Sequence, residues 1–205
     1  MKAVTFYTRK DVLQTPMEAL KKSMTVETLT KMALCLALIC VSAYIVIPIP
    51  FTPVLITAQT IIVNLIALLL TPAQSAFVIS VYTLMGLCGL PVFSGGAGGI
   101  AKLLGPAGGY ILGFFLGVIA IGLLKGSRPV IWRYCLVTLG VGLPIIHICA
   151  ILYMVLLNGM DMQAAFLALS LPFLAGDAAK CVAASCLAAA LERILPRIRR
   201  QTAAG

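Results

Sequence analysis

Two ionisable residues stand close together in an otherwise apolar stretch near the end of the chain. Asp177 and Lys180 are three positions apart within residues 171–191, so on a helix they share one face and can neutralise each other. If this stretch crosses a bilayer, both charges are costly to bury. The pair is then either a self-contained ion pair that lets the helix insert or part of a ligand site. The ligand site is favoured, because packing gains nothing from either charge.

A second candidate is a glycine-rich loop that follows an apolar run ending at about residue 90. The loop contains Phe93, Ser94, Gly95 and Gly96 and leads toward Tyr110. Glycines at this density either let the backbone approach a ligand closely or form a flexible linker. A lid or cradle over a ligand is favoured, because a linker is rarely bracketed by two aromatic residues.

Isolated polar residues give weaker indications. A proline-rich connection over residues 48–53 precedes Thr57, Gln59 and Asn64, which serve equally well as ligands or as interhelical hydrogen-bonding groups. His147 has no second histidine or paired carboxylate beside it in sequence, so helix packing or hydrogen bonding is favoured over a proton relay. The 7 cysteines lie in apolar segments without C-x-x-C spacing and indicate packing rather than metal ligands or disulfides.

These residues are embedded in a composition that requires a membrane. The chain is 61% hydrophobic and 10% charged, with a mean hydropathy of +1.10, which exceeds what a soluble domain can bury. We predict an all-α, polytopic membrane protein with six transmembrane helices. Each apolar run approaches the roughly 17 to 25 residues that span hydrocarbon. The predicted spans cover about residues 32–47, 53–70, 73–90, 109–124, 130–157 with a kink at Pro144, and 171–191.

The basic residues orient these spans. The chain has 15 Lys and Arg against 6 Asp and Glu, and nearly all of the basic residues fall on one side if the N-terminus is inside, as the positive-inside rule requires. We therefore predict that both termini are cytoplasmic, with an N-terminal segment over residues 1–30, a membrane domain over 31–195 and a basic tail over 196–205. The positive charge then reflects topology and contact with anionic lipid in the cell membrane, not nucleic-acid binding.

The same orientation gathers the unusual features at the outer face. Asp177 and Lys180 fall in the outer half of the sixth span, and the glycine-rich and proline-rich connections lie outside as well. This convergence predicts a capture site for an extracellular solute, with an apolar lining and a few polar groups. The sequence contains no G-x-x-x-x-G-K-[ST] motif, so the chain has no phosphate-binding loop of its own. Neither a metal site nor a catalytic cofactor is predicted.

Four sequence blocks together resemble BioY, the biotin-binding S component of energy-coupling factor (ECF) vitamin transporters. The resemblance covers about residues 32–192, and the blocks follow one another as in that family. Leu55 and Ala107 depart from the family pattern, in which proline and threonine are expected, and Ala97 stands where some relatives have a basic residue. The blocks are Pro48-Ile49-Pro50-Phe51-Thr52-Pro53 with Ile56-Thr57 and Gln59-Thr60, Gly89-Leu90-Pro91-Val92-Phe93, Gly105-Pro106 with Gly108-Gly109-Tyr110, and Pro172-Phe173 with Gly176-Asp177 and Lys180.

The resemblance implies the ECF S-component fold and high-affinity binding of biotin for uptake, without catalysis. Asp177 would accept hydrogen bonds from the ureido nitrogens of biotin, and either Lys180 or Lys102 would meet its carboxylate. The full set of implied biotin-binding residues is Asp177, Lys180, Tyr82, Phe93, Ser94, Gly95, Gly96, Tyr110 and Gln59.

The resemblance also implies an ECF transmembrane coupling subunit and two ATPase subunits as partners. Ala33 and Ala37 form a small-x-x-x-small face in the first span, which permits close approach of another helix. In related S components, alanines at this spacing contact the transmembrane partner, so these two residues are the expected docking site. Packing within this chain is an equally good interpretation on sequence grounds alone.

Two other classes of function remain open from the residues. A self-sufficient secondary transporter could use Asp177 as a proton carrier. An intramembrane enzyme could use Asp177 and Lys180 as acid and base, although one carboxylate and one amine without a metal cluster form a thin catalytic set.

Overall fold

The first helix begins and ends earlier than the sequence predicts. The computed structural model describes residues 25–47, 55–126 and 128–202, with side chains through residue 194, so most of the N-terminal segment and the side chains of the basic tail lie outside the described part. Helix α1 spans Val26–Ser42, and the side chain of its N-cap, Thr25, accepts a hydrogen bond from the amide of Thr28 at 3.3 Å.

A short β-hairpin replaces the predicted end of the first span and the predicted start of the second. Strand β1 (Val46–Ile47) pairs antiparallel with strand β2 (Ile56–Thr57). All four residues are β-branched, and such side chains favour extended backbone. The proline-rich connection over residues 48–53 lies outside the described residues. The predictions of helix through residue 47 and from residue 53 were therefore wrong at these ends.

Two short apolar helices follow the hairpin. Helix α2 spans Gln59–Leu69 and is buried along nearly its whole length. Helix α3 spans Pro72–Leu87 and begins with a capping box, in which Thr71 and Gln74 exchange side-chain and backbone hydrogen bonds at 3.4 and 3.1 Å. This reciprocal bonding satisfies two amides that the first turn of a helix leaves unpaired, and it fixes the sharp turn between α2 and α3.

The predicted fifth span is one continuous helical stretch, Ile131–Asn158, with a change of helix type inside it. Helix α6 (Ile131–Val137) and helix α7 (Leu143–Asn158) are joined by a π-helical turn over Thr138–Gly142. Pro144 follows this turn directly, and it has no N–H to donate to a preceding carbonyl. Single π-helical turns are a recognised way to accommodate such a break within a longer helix, and this one lies next to Pro144, where the kink is predicted.

The remaining described helices form two consecutive pairs, and in each pair a short helix precedes a long one. Helix α4 (Ile100–Leu104) precedes helix α5 (Pro106–Leu124), with the single residue Gly105 between them. Helix α8 (Met162–Leu169) precedes helix α9 (Leu171–Thr202). The prediction for the last span was right about its start, but the helix continues well beyond residue 191.

Among the residues that the structure describes, three helical stretches are long and apolar enough to cross a membrane, namely Pro106–Leu124, Ile131–Asn158 and Leu171–Ile194. Helices α2 and α3 are apolar but shorter. The 11 residues of α2 extend about 16 Å, roughly half of a hydrocarbon core about 30 Å thick. Because α2 is buried in the bundle, protein surrounds it instead of lipid. The count of six crossings and the cytoplasmic termini remain predictions.

Helix α2 lies at the centre of the bundle, where it packs against α1, α5 and α9. Helix α5 packs along α7 and also contacts α3. Because of this packing, the first turns of α2, α5 and α9 meet at one end of the bundle, together with the hairpin and the glycine-rich loop. The core below them consists of apolar side chains from most helices, among them Ile39, Val63, Ile66, Ile79, Val118, Ile121 and Ala188.

Candidate functional site

Asp177 lies at the centre of a buried charged cluster. Its Oδ1 accepts a hydrogen bond from Lys180 Nζ at 2.8 Å, one turn along α9, as the spacing of three residues predicts. On the other side, Nε2 of His147 on α7 lies 3.4 Å from Oδ2, close enough for an electrostatic contact but without the alignment of a hydrogen bond. Asp177 and His147 are only 5% and 4% exposed. Oδ2 therefore retains the capacity to accept a hydrogen bond from another donor.

Asp177 and Lys180 form one wall of a cavity at this end of the bundle. Three hydroxyl-bearing residues also line it: Thr57 at the end of β2, Thr60 in the first turn of α2 and Ser94 in the glycine-rich loop. The two charged side chains thus face open space that a ligand could fill. This placement fits the ligand-site interpretation of the pair, since an ion pair needed only for insertion has no reason to border a cavity.

Apolar side chains form the rest of the cavity wall, namely Leu55, Ile56, Ala107, Tyr110 and Phe173. The ring of Tyr110 stands edge-on to that of Phe173, with the ring centroids 6.5 Å apart. The Tyr110 hydroxyl donates to the last carbonyl of α8. Both aromatic rings are therefore held in place and present rigid apolar surface to the cavity.

The glycine-rich loop is fastened to the bundle. Phe93 and Ala97 exchange backbone hydrogen bonds at 2.8 and 3.2 Å, and the amide of Gly95 donates to the carbonyl of Ala43 at 2.9 Å. Gly95 and Gly96 have φ angles of +79° and +69°, a conformation that favours glycine. The loop is thus a fixed part of the wall, and the flexible-linker interpretation does not apply to it.

The loop residues predicted to bind the ligand take different positions. Ser94 borders the cavity. A Cβ atom on Gly95 would lie 2.9 Å from the side chain of Leu55, and one on Gly96 would lie 2.9 Å from the ring of Tyr44. The absence of side chains at these two glycines therefore lets the loop pack closely against the end of α1 and the segment before β2.

Three other predicted binding residues form a layer beside the cavity. Gln59 Nε2 donates to the hydroxyl of Tyr82 at 2.6 Å, and the ring of Tyr82 stands edge-on to that of Phe93 at a centroid distance of 5.6 Å. Tyr82 and Phe93 are almost fully buried, and Gly86 lies so close to Phe93 that a Cβ there would overlap its ring. This layer supports the loop that carries Ser94, and direct ligand contact by its members stays a prediction.

Sequence reasoning did not assign Thr60, Phe173 or His147 to the site. Thr60 and Phe173 occur in the blocks that resemble BioY, so the resemblance could have identified them as site residues. His147 has no local signal, because it meets Asp177 only through the packing of α7 against α9. Asn64, which the sequence left open as a ligand, instead donates to a carbonyl of its own helix at 2.8 Å.

The chemistry available at this site is recognition. A buried carboxylate can accept hydrogen bonds from N–H groups of a ligand, the neighbouring ammonium can donate to a carbonyl, and aromatic and aliphatic walls can hold an apolar body. Low local dielectric strengthens such contacts and makes a missing partner costly. Within the described ranges, no group of three or more His, Cys, Asp or Glu could hold a metal ion.

The fold and site define an α-helical, multi-pass membrane protein with a partly polar cavity at one end of its bundle. A family model described as the BioY family matches residues 17–197. The chain therefore belongs to the BioY family and is a multi-pass protein of the cell membrane.

Individual relatives agree with the family match. The biotin transporter BioY of Thermotoga maritima is 35% identical over 166 residues, which is 81% of this chain and 96% of the relative. The biotin transporter BioY2 of Lactococcus lactis is 45% identical over a shorter stretch, 43% of this chain and 48% of the relative. A crystal structure of the S component for biotin from an ECF-type ABC transporter is 26% identical with a TM-score of 0.76, covering 83% of this chain and 95% of that chain.

Proposed function

We propose that this protein binds biotin in the described cavity and serves as the biotin-specific S component of an ATP-driven ECF transporter. The observation that carries the proposal is the buried pair of Asp177 and Lys180, which borders a cavity with apolar walls in a chain of the BioY family. The relatives reported above are named as transporters of biotin. Their names favour transport over the catalytic alternative.

The chemistry of biotin complements the cavity. Its ureido ring offers two N–H donors and a carbonyl acceptor, so Asp177 Oδ2 accepts from the nitrogens while Lys180 donates to the carbonyl. Thr57 and Thr60 are close enough to the pair to donate or accept around the same ring. Phe173 and the other apolar walls pack against the bicyclic body.

The proposal includes the predicted orientation, with the cavity facing outward and both termini in the cytoplasm. At the opposite end of the bundle, Lys125 Nζ donates to the carbonyls of Leu68 and Leu70 at 2.5 and 2.7 Å. Arg133 there donates to the carbonyl of Leu124 at 3.1 Å. These basic side chains meet the C-terminal ends of α2 and α5, which helix dipoles favour, and they lie on the side that the positive-inside rule assigns to the cytoplasm.

The sequence has no phosphate-binding loop, so ATP-driven uptake would draw its energy from partner subunits. We infer that a transmembrane coupling subunit and two ATPase subunits provide this energy. The membrane domain over residues 31–195 would dock against the coupling subunit within the lipid bilayer. The N-terminal segment over 1–30 and the tail over 196–205 would then both face the cytoplasm.

Biotin binding to the purified protein in detergent tests the proposal directly. We expect isothermal titration or radioligand binding to show saturable binding of biotin to the wild type. Asp177→Asn removes the charge that accepts from the ureido nitrogens, so the affinity should fall about tenfold or more, or about 1.4 kcal/mol. Lys180→Ala should weaken binding by a similar factor.

Asp161→Asn provides the matched control. Asp161 caps α8 on the surface, and asparagine caps helices equally well, so biotin affinity should remain that of the wild type. Failure of the wild type to bind biotin would overturn the proposed function. Wild-type affinity in both the Asp177 and Lys180 variants would remove these residues from the site.

A further inference from the structure

A second cavity adjoins the one beside Asp177. The two cavities share Leu55, Ser94 and Ala107 as lining residues. Asp177 lines only the first cavity, whereas Lys102 lines only the second. The two adjoining spaces therefore have a charged group at each end and a largely apolar shared wall, as an elongated ligand site requires.

Lys102 is held at the far end of this site by its helix. The carbonyl of Leu103, its neighbour in α4, accepts a hydrogen bond from the hydroxyl of Tyr153 at 2.7 Å. The amide of Gly99, directly before α4, donates to the carbonyl of Gly86 at 2.7 Å. The side chain of Lys102 is half-buried, and among the residues the structure describes no ion-pair or hydrogen-bond partner meets its Nζ.

The charges along the site are not balanced. Asp177 is already paired with Lys180 at 2.8 Å and has His147 at 3.4 Å on its other side. The first cavity therefore has no positive charge left over for an anionic ligand group. In the second cavity Lys102 has no carboxylate opposite it among the described lining residues, and the N-terminal turn of α5 adds its positive dipole end.

We propose that Lys102 binds the carboxylate of the ligand, whose uncharged polar head lies at Asp177. The assignment rests on the proposed function, because biotin has the required shape: a polar ureido head, an apolar body and an anionic end on a flexible chain. Leu55 and Ala107, which border both cavities, contact the chain between the two ends. Lys180 remains the partner of Asp177 and of the ureido carbonyl.

Comparison of biotin with its methyl ester tests the assignment, because the ester lacks only the negative charge. We expect the wild type to prefer biotin over the ester by about tenfold or more, the range of a charge-assisted hydrogen bond. In Lys102→Gln, affinity for biotin should fall by that factor while affinity for the ester stays the same. Lys102→Arg keeps the charge and should keep the preference. Thermal unfolding of each variant shows whether it is folded.

Two further variants serve as references. Lys31→Gln removes an exposed ammonium of α1 that is paired with Glu27, so both affinities should be those of the wild type. Lys180→Gln should weaken biotin and its ester by the same factor. Loss of the preference in the Lys180 variant instead of the Lys102 variant would overturn the assignment, as would an equal loss of both ligands in Lys102→Gln. If the wild type bound neither ligand, the proposed function itself would fall.

Discussion

His147 illustrates how a residue without a sequence signal becomes part of the site. The sequence favours a role in packing or hydrogen bonding, and the structure buries the ring between Asp177 and Tyr110, with its centroid 6.1 Å from that of Tyr110. Its Nε2 lies 3.4 Å from Asp177 Oδ2. His147 does not line the cavity. We therefore predict that it is a positioning residue, which limits the orientations of the carboxylate.

Replacement of His147 should weaken biotin binding through Asp177. In His147→Ala we expect affinity to fall roughly threefold to tenfold, the range of a coupling between contacting residues. The measurement is a double-mutant cycle in which both variants and their combination are titrated with biotin. With Asp177→Asn already in place, removal of the imidazole should have little further effect. Fully additive losses would contradict the positioning role, because they would show that His147 acts independently of Asp177.

At the scale of elements, the close approach of α5 and α7 sets the geometry of the site. A Cβ on Gly113 would lie 2.8 Å from the Cα of Ile146, and one on Gly109 would lie 2.7 Å from the Cα of Ala150. These two glycines, one turn apart on α5, therefore allow backbone-to-backbone contact between the helices. Because α7 carries His147 and the first turn of α5 carries Tyr110, this contact brings two neighbours of the cavity together.

Filling this contact should destabilise the protein. Gly113→Val places a branched side chain against the backbone of α7, which cannot yield as a flexible side chain would. We expect a loss of about 1 to 3 kcal/mol, seen as a lower midpoint of thermal unfolding in detergent. Gly140→Val is the matched control, because a Cβ there would meet no atom within 4 Å. Equal midpoints for the two variants would show that α5 and α7 can separate without cost.

At the scale of the whole molecule, the cavity and the predicted docking residues lie on different surfaces. The cavity lies at one end of the bundle, where the first turns of α2, α5 and α9 meet. Ala33 and Ala37 are exposed on α1, on the face opposite its buried residues Met32, Cys35 and Ile39. Their exposure is consistent with docking by a partner helix, and Ala33 also borders a groove between α1 and α3.

Enlarging both alanines should separate transport from binding. In the double variant Ala33→Leu and Ala37→Leu, we expect biotin affinity to be unchanged, while co-purification with the coupling subunit and ATP-dependent uptake into liposomes are lost. Two exposed alanines of α9, Ala183 and Ala190, changed to leucine in the same way serve as the control. Proton-driven accumulation by this chain alone, unaffected by either pair of changes, would favour the self-sufficient transporter instead.

The sequence by itself determined the membrane class, the approximate position of most helices and the pairing of Asp177 with Lys180. These properties depend on composition and on neighbours within one or two helical turns, which side-chain spacing specifies directly. It did not determine the ends of the first two spans. An apolar run at these ends is compatible with either a strand or a helix, and the pairing of β1 with β2 decides between them.

Tertiary structure alone decided which distant residues share the site. The packing of α2, α5, α7 and α9 sets their relative positions. It brings His147 and Thr60 to Asp177, separates Tyr82 and Gln59 from the cavity, and leaves Lys102 on the second cavity beside it. Such positions depend on how side chains from several helices fit together, and no local pattern in the chain specifies that fit.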